Sequence, residues 1–132
     1  LHAVNEKEDF VYDLSLATQG VSVSQYNTGV NYYIGRGIAQ DMEKAVYWFQ
    51  RASEQGHSKA PFNIAIIYGN GEVTEKNLAL ALEYFLMAAE RGNEEAKELI
   101  KKLEKDSGLS MEESLAKICC PKPLSHSMVS KN

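Results

Sequence analysis

The strongest constraint on the fold of this chain is an internal repeat of 36 residues, which runs without a gap through the middle of the sequence. Gly56 and Gly92 each end one unit, and the same offset pairs Gly35 with Gly71. Other matched pairs are Tyr26/Phe62, Asn27/Asn63, Tyr32/Tyr68, Ala45/Ala81, Phe49/Phe85, Ala52/Ala88 and Glu54/Glu90. Matched glycines and aromatic residues across a whole unit predict a solenoid, in which stacked units bury a continuous core.

Each unit has the pattern of two helices joined by a loop that contains glycine. In the first unit, apolar spacing over Ser24 to Ile34 predicts helix A, and Gly35 and Gly37 can adopt the left-handed conformation that ends it. Asp41 is predicted to cap helix B, whose apolar residues recur at three- and four-residue spacing until Gly56. The predicted fold class is therefore all-α, an α-α hairpin repeat superhelix.

The second unit repeats this scheme. Ser58 is predicted to cap its helix A, Pro61 lies in the first turn, and Gly71 ends that helix. Asn77 is predicted to cap helix B, which extends to Arg91. The small residues at Gly29/Ala65 and Ala52/Ala88 are expected to let neighbouring helices approach closely. The aromatic residues at Trp48/Tyr84 and Phe49/Phe85 are expected to fill the space between the helices.

The flanks of the two full units look like partial repeats. The chain divides into a B helix of a preceding unit over 1–20, repeat 1 over 21–57, repeat 2 over 58–93, C-terminal capping helices over 94–119 and a flexible tail over 120–132. The segment from Glu94 to Lys105 predicts a charged capping helix, and Ser110 with Glu113 forms a capping box that starts another, to about Cys119. The start lacks an initiator Met, so we expect an excerpt or a processed product.

A repeat that is broken at its start exposes apolar surface that a neighbouring unit would normally cover. We therefore expect Phe10, Tyr12 and Leu14 to form an N-terminal edge suited to self-association or to docking of further repeats.

These residues resemble the Sel-1-like repeat (SLR), a relative of the tetratricopeptide repeat. The resemblance covers roughly residues 10–104 and rests in the first unit on Gly29, Tyr32, Gly35, Gly37, Ile38, Asp41, Lys44, Ala45, Trp48, Phe49, Ala52 and Gly56. Departures from the family pattern are Val73 for glycine, Leu80 for lysine, Asn77 for aspartate and Thr28 for leucine. The resemblance implies an adaptor that holds other proteins, as in protein quality control, stress signalling or contact between bacterium and host.

Composition and charge argue against several other classes of protein. The net charge is -4, with 14 basic residues interspersed among 18 acidic ones, so a nucleic-acid partner is not predicted. The longest apolar stretch, Leu78 to Ala89, is interrupted by Glu83 and is too short to span a membrane. Cys119 and Cys120 are neighbours and are interpreted as idle thiols, which favours the cytoplasm or another reducing compartment.

Catalytic and metal-binding chemistry is not predicted, and no cofactor is expected. His57 lies in a turn between helices, and His2 and His126 lie near the ends of the chain. Cys119, Cys120 and His126 lack a fourth metal ligand, and adjacent cysteines suit a tetrahedral ion poorly. Gly35-Arg36-Gly37 follows a helix rather than a strand, so it is interpreted as a helix stop and not as a phosphate loop.

The predicted partner-binding surface is the concave face formed by the A helices. By analogy with tetratricopeptide repeats, its residues are Tyr26, Asn27, Val30, Tyr33, Phe62, Asn63 and Ile66. Two interpretations stay open here, since these side chains either form an exposed groove for a peptide or helix or simply pack the superhelix. The function is correspondingly an adaptor for another protein or a homo-oligomerising segment, and an enzyme is a distant third.

Overall fold

Seven α-helices and no strand occupy residues 5–105 and 108–120, which are the residues that our computed structural model describes. They are α1 (Glu6–Thr18), α2 (Ser22–Ile34), α3 (Met42–Glu54), α4 (Ala60–Asn70), α5 (Leu78–Glu90), α6 (Glu94–Glu104) and α7 (Met111–Ile118). The chain divides after His57 into two compact units, called unit 1 (α1 to α3) and unit 2 (α4 to α7). The predicted all-α hairpin repeat fold is confirmed.

Unit 1 forms its first hairpin as the glycine and aspartate signals predicted. Gly35 has a φ of 74° and ends α2, and its backbone N–H donates to the carbonyl of Asn31 at 2.8 Å. Asp41 caps α3 by accepting a hydrogen bond from the backbone N–H of Lys44 at 3.1 Å. α2 starts at Ser22, two residues before the predicted Ser24, which is buried inside the helix instead.

Close approach of α2 to α3 determines the core of unit 1. A Cβ atom added to Gly29 would lie 2.6 Å from the ring of Phe49, so this position requires glycine while the ring keeps its place. Phe49 is fully buried, and on the other side of α2 the rings of Phe10 and Tyr32 pack edge to face at 5.2 Å. α2 is therefore covered by both α1 and α3.

Unit 2 begins with a hairpin of the same design but a different start. α4 has no side-chain cap, so the prediction that Ser58 caps it is wrong. Pro61 lies in its first turn, where a missing N–H is tolerated, and Gly71 ends it with a φ of 71°. Asn77 caps α5 as predicted, accepting from the backbone N–H of Leu80 at 3.0 Å.

The two C-terminal helices extend the core of unit 2. Asn93, which the sequence did not indicate, caps α6 by accepting from the backbone N–H of Ala96 at 2.9 Å. The capping box is confirmed, because Ser110 accepts from the backbone N–H of Glu113 and that carboxylate accepts from the N–H of Ser110. One core joins the four helices through Phe62, Ala65, Ile66, Ala81, Phe85, Ala88, Ala96, Leu99, Leu103 and Leu115. The predicted flexible tail lies, apart from residue 120, outside the described residues.

Candidate protein-interaction surface

The side chains predicted to bind a partner from unit 1 are mostly buried. Tyr26 is 3% exposed, its ring stacks on His57 at 4.3 Å, and its centroid lies 5.5 Å from that of Phe49. Val30 and Tyr33 are each 7% exposed. These residues therefore pack unit 1 and do not form an exposed strip.

Asn27 is half-buried and faces α1 rather than a groove. Its side chain hydrogen-bonds Asp13, which opposes the effect of partial burial on that carboxyl group. Burial is the larger effect, so the pKa of Asp13 is raised above its usual value. The amide of Asn27 thus serves a contact between helices, although the sequence suggested the backbone of a bound peptide as its partner.

The predicted residues of unit 2 are buried more completely. Phe62, Asn63 and Ile66 have no exposed surface, and the rings of Phe62 and Phe85 meet at 5.5 Å. Of the two interpretations left open by the sequence, core packing is the correct one for these side chains. Periodicity could not decide this, because α4 is buried around nearly its whole circumference and has no polar face to mark the solvent side.

A depression of about 340 Å³ in unit 2 lies where α6 meets the first turn of α4. Most of its accessible lining belongs to charged side chains of α6, because Phe62 has no exposed surface and Leu99 has 8%; these charged residues are Glu94, Glu95, Glu98 and Lys102. Sequence analysis assigned these charges only to the solvated face of a capping helix. The recess between these side chains depends on tertiary packing, so no local pattern in the sequence indicates it.

Partial burial acts on one carboxylate of this rim. The pKa of Glu95 is raised because its carboxyl group is partly removed from water. Among the described residues no cation lies within ion-pair distance of Glu95, whereas Glu94 pairs with Lys97 at 3.3 Å and Glu98 pairs with Lys101 at 3.7 Å. Glu95 therefore differs from its two acidic neighbours on α6, each of which has a lysine partner.

The expected N-terminal edge is only partly present on α1. Phe10 is buried against Tyr32 and Leu14 is half-buried, so neither matches the expectation of an exposed contact. Tyr12 is 67% exposed, and Val11, which the sequence analysis did not select, is 62% exposed beside it. With Lys7 and Glu8 they line a shallow depression of about 390 Å³.

Arg36 has a structural role that the Gly-Arg-Gly pattern did not predict. Its guanidinium group lies 3.7 Å from Glu6 and 3.5 Å from Asp9, and so connects the loop after α2 to the start of α1. A Cβ atom on Gly37 would collide with the backbone carbonyl of Glu6. The Gly-Arg-Gly segment is thus a helix stop, as predicted, and also a docking point for α1.

The two cysteines and the possible metal ligands are the remaining candidates for chemistry. Cys119 and Cys120 follow α7, and a Cβ atom added to Gly69 of α4 would collide with both of their sulfur atoms. The interpretation of the pair as idle thiols stays a prediction. Within 5–105 and 108–120, no three His, Cys, Asp or Glu side chains are placed to hold a metal ion. No helix of this described part is long and apolar enough to cross a membrane.

Comparison with known proteins gives matches in sequence and in structure. The family model of the Sel1 repeat matches residues 22–57 and 58–93. A crystal structure of a Sel1 repeat protein from Oxalobacter formigenes is 35% identical with a TM-score of 0.69, over 79% of this chain and 42% of that one. A protective antigen of uropathogenic Escherichia coli with an SLR fold is 28% identical with a TM-score of 0.72, over 85% of this chain and 24% of that one.

This chain therefore spans less than half the length of either solved structure. No curated protein matches it. Two adjoining repeat matches, together with the helical hairpins they cover, show that the chain belongs to the Sel1 repeat family, a family of non-catalytic repeats that generally act as scaffolds for protein–protein interactions.

Proposed function

We propose that the chain is an adaptor that binds a peptide or helix of another protein through the A-helix surface of unit 2. The observation that carries this proposal is the match of two adjoining Sel1 repeats, since this family generally scaffolds protein–protein interactions, and the depression beside α6 is the recess of unit 2 that we propose receives a side chain of the partner. Its volume of about 340 Å³ can hold one large apolar side chain. In this proposal the binding surface is the exposed face of α6 and not the buried residues of α2 and α4.

Site-specific photo-cross-linking tests the adaptor proposal. A photoreactive amino acid at Lys102, on the rim, should capture a partner protein from cells, while the same group at Glu104 should not. Both positions are exposed and lie near the C-terminal end of α6, so the two variants should be matched in stability and reactivity. Only Lys102 lines the depression. Equal capture at the two positions, or none at either, would contradict the proposal.

Self-association is a second candidate function, favoured by the exposed pair Val11 and Tyr12 on α1. Two adjacent apolar side chains with more than half of their surface in water suit a contact with a second copy or a further repeat. A mass that rises with protein concentration in light scattering, and that returns to the monomer value in Tyr12→Ser, would support it. A constant monomer mass at high concentration excludes self-association.

A further inference from the structure

Two cysteines that the proposed adaptor function does not use lie directly after α7. Cys119 and Cys120 are the only cysteines of the chain, and both are half-buried and packed against the core of unit 2. The end of α7 holds them there, because the backbone N–H of Cys119 donates to the carbonyl of Leu115 at 2.7 Å and Leu115 has no exposed surface. The fold therefore fixes the place of the pair, in addition to the adjacency of the two residues in sequence.

A glycine of α4 provides the space for both sulfur atoms. A Cβ atom added to Gly69 would lie 2.5 Å from Cys120 Sγ and 2.9 Å from Cys119 Sγ, so the two sulfur atoms converge on one point of the α4 surface. The backbone does not require glycine there, because Gly69 lies inside the helix and has no positive φ. Glycine inside a helix is unfavourable relative to alanine, so what this position supplies is the missing side chain.

The first repeat covers the equivalent position in a different way. The residue 36 positions before Gly69 is Tyr33, whose side chain is buried in unit 1 with 7% of its surface exposed. Repeat 2 lacks this ring, and the segment after α7 brings two sulfur atoms to the part of α4 that the glycine leaves open. The exchange of a large aromatic side chain for glycine is thus matched to the approach of the two cysteines.

Two thiols that meet at one point can be oxidised together by thiol–disulfide exchange. One thiolate of the pair attacks a low-molecular-weight disulfide such as oxidised glutathione, which breaks the S–S bond of that reagent, forms a mixed disulfide and releases one thiol. The second thiolate attacks the cysteine sulfur of the mixed disulfide, which forms the bond between Cys119 and Cys120 and releases a second thiol. Two electrons and two protons pass in total from the pair to the reagent, and an excess of small thiol reverses both steps.

We propose that Cys119 and Cys120 are a redox-active dithiol, a modification site that small disulfides oxidise to a bond between the two residues over Gly69 and that small thiols reduce again. This role contrasts with the idle thiols predicted from the sequence and is independent of the adaptor function. Because the chain has no other cysteine, every other disulfide product is either a mixed disulfide with the reagent or a link between two chains. The three products differ in mass and can be told apart.

Mass spectrometry of the intact chain, equilibrated with mixtures of reduced and oxidised glutathione, tests this inference. We expect the main oxidised product to be a monomer lighter by two hydrogen atoms, whereas Cys120→Ser should stop at the mixed disulfide with glutathione. In urea the pair keeps only its adjacency in sequence, so the equilibrium constant for closing the disulfide should fall about tenfold or more on unfolding. A main product that carries glutathione or links two chains, or a constant that unfolding leaves unchanged, would overturn the inference.

Gly69→Ala tests the space over α4, and Asn70→Ala is its matched control. The methyl group of Gly69→Ala enters the space of both sulfur atoms, so the equilibrium constant for closing should fall about tenfold or more while circular dichroism shows that the helices are kept. Asn70 is the exposed neighbour on the same helix, and Asn70→Ala should leave the constant nearly unchanged. Equal constants for the two folded variants would show that the pair does not close over Gly69 and would overturn the inference. If Gly69→Ala does not fold, the comparison of the folded and the urea-unfolded original chain decides alone.

Discussion

The two repeats have the same backbone scheme but bury different chemistry at equivalent positions of their A helices. In α2 of repeat 1, Gln25, Thr28 and Asn31 are each less than 5% exposed. The residues 36 positions later in α4 of repeat 2 are Pro61, Ile64 and Ile67, and all three are buried. At these three positions the hairpin fold therefore tolerates polar side chains in one copy and apolar side chains in the other.

The side-chain amide of Gln25 is hydrogen-bonded, whereas Thr28 and Asn31 each have one buried polar atom that is not. The amide of Gln25 donates to the carbonyl of Ala17 at 3.2 Å, and its side-chain oxygen accepts from Gln55 at 2.8 Å. Thr28 Oγ1 and Asn31 Nδ2 have no hydrogen-bond partner among the described residues. Since an unsatisfied buried polar group costs about 1–3 kcal/mol, these two atoms should destabilise repeat 1 at positions where repeat 2 has isoleucine.

The largest effect should come from truncating the buried aromatic pair at the matched positions Tyr26 and Phe62. Phe62→Ser should lower the free energy of unfolding by about 3–5 kcal/mol, because it removes a ring from the centre of the core of unit 2. Tyr26→Ser should have a comparable effect in unit 1, where the ring contacts Phe49 and His57. Urea unfolding followed by circular dichroism measures both changes.

Tyr12→Ser is the control for these truncations, because it removes an aromatic ring that is 67% exposed and should change stability by less than about 0.5 kcal/mol. A Phe62→Ser variant as stable as this control would show that the ring of Phe62 is accessible and that the strip of aromatic side chains predicted from sequence exists in solution.

The next effect concerns the small residues of the B helices. Ala52 and Ala88 have no exposed surface, so Ala52→Leu and Ala88→Leu should each overpack a helix contact and cost about 1–3 kcal/mol. Equal decreases in melting temperature for the two variants would show that the helices of both hairpins pack equally closely at these alanines. Ala79→Leu, at an exposed position of α5, should leave the melting temperature nearly unchanged, and a shift there would mean that the assay reports solubility instead of packing.

A smaller effect should follow from giving repeat 1 an apolar side chain at a position where repeat 2 already has one. Thr28→Val keeps the shape of the side chain and removes a buried hydroxyl group without a partner, so it should stabilise the chain by about 1 kcal/mol. Thr18→Val is the comparison, since that exposed hydroxyl donates to the carbonyl of Ser15 at 2.8 Å and its loss should not stabilise. Destabilisation by Thr28→Val would reveal an ordered water bound to the hydroxyl group.

The contrast between the repeats also explains how far the sequence could predict the structure. Glycines and capping residues act locally, so Gly35, Asp41 and Asn77 indicated the ends of helices correctly. Burial depends on how many neighbours cover a helix, which periodicity does not record when a helix is apolar on every side. For that reason the sequence left open whether Phe62 and Ile66 are exposed, and in the structure both lie in the core.

The depression beside α6 shows the same limit of sequence-based prediction, but for a surface feature instead of a buried one. Its charged lining matches the ordinary pattern of a solvated helix, and the recess itself forms where Leu99 of α6 packs in one core with Phe62 of α4. The two residues are far apart in sequence, so their contact depends on tertiary packing. A motif search could not find this site, because no local spacing encodes it.

The smallest effect should come from exchanging the caps of the two B helices, Asp41 in repeat 1 and Asn77 in repeat 2. Both side chains accept a hydrogen bond from the third backbone N–H of the helix, at 3.1 and 3.0 Å. Only the aspartate adds a negative charge at the positive end of the helix dipole, a contribution of about 0.3–1 kcal/mol at low salt. Asn77→Asp should therefore stabilise the chain by a few tenths of a kcal/mol and Asp41→Asn should destabilise it by a similar amount.

Chemical unfolding in low and high salt distinguishes charge from hydrogen bonding, because salt screens the dipole interaction and should bring both exchanges close to zero. If the two exchanges kept their full size in high salt, the difference between the caps would be one of hydrogen-bond geometry, and the two repeats would differ in backbone conformation as well as in side-chain chemistry.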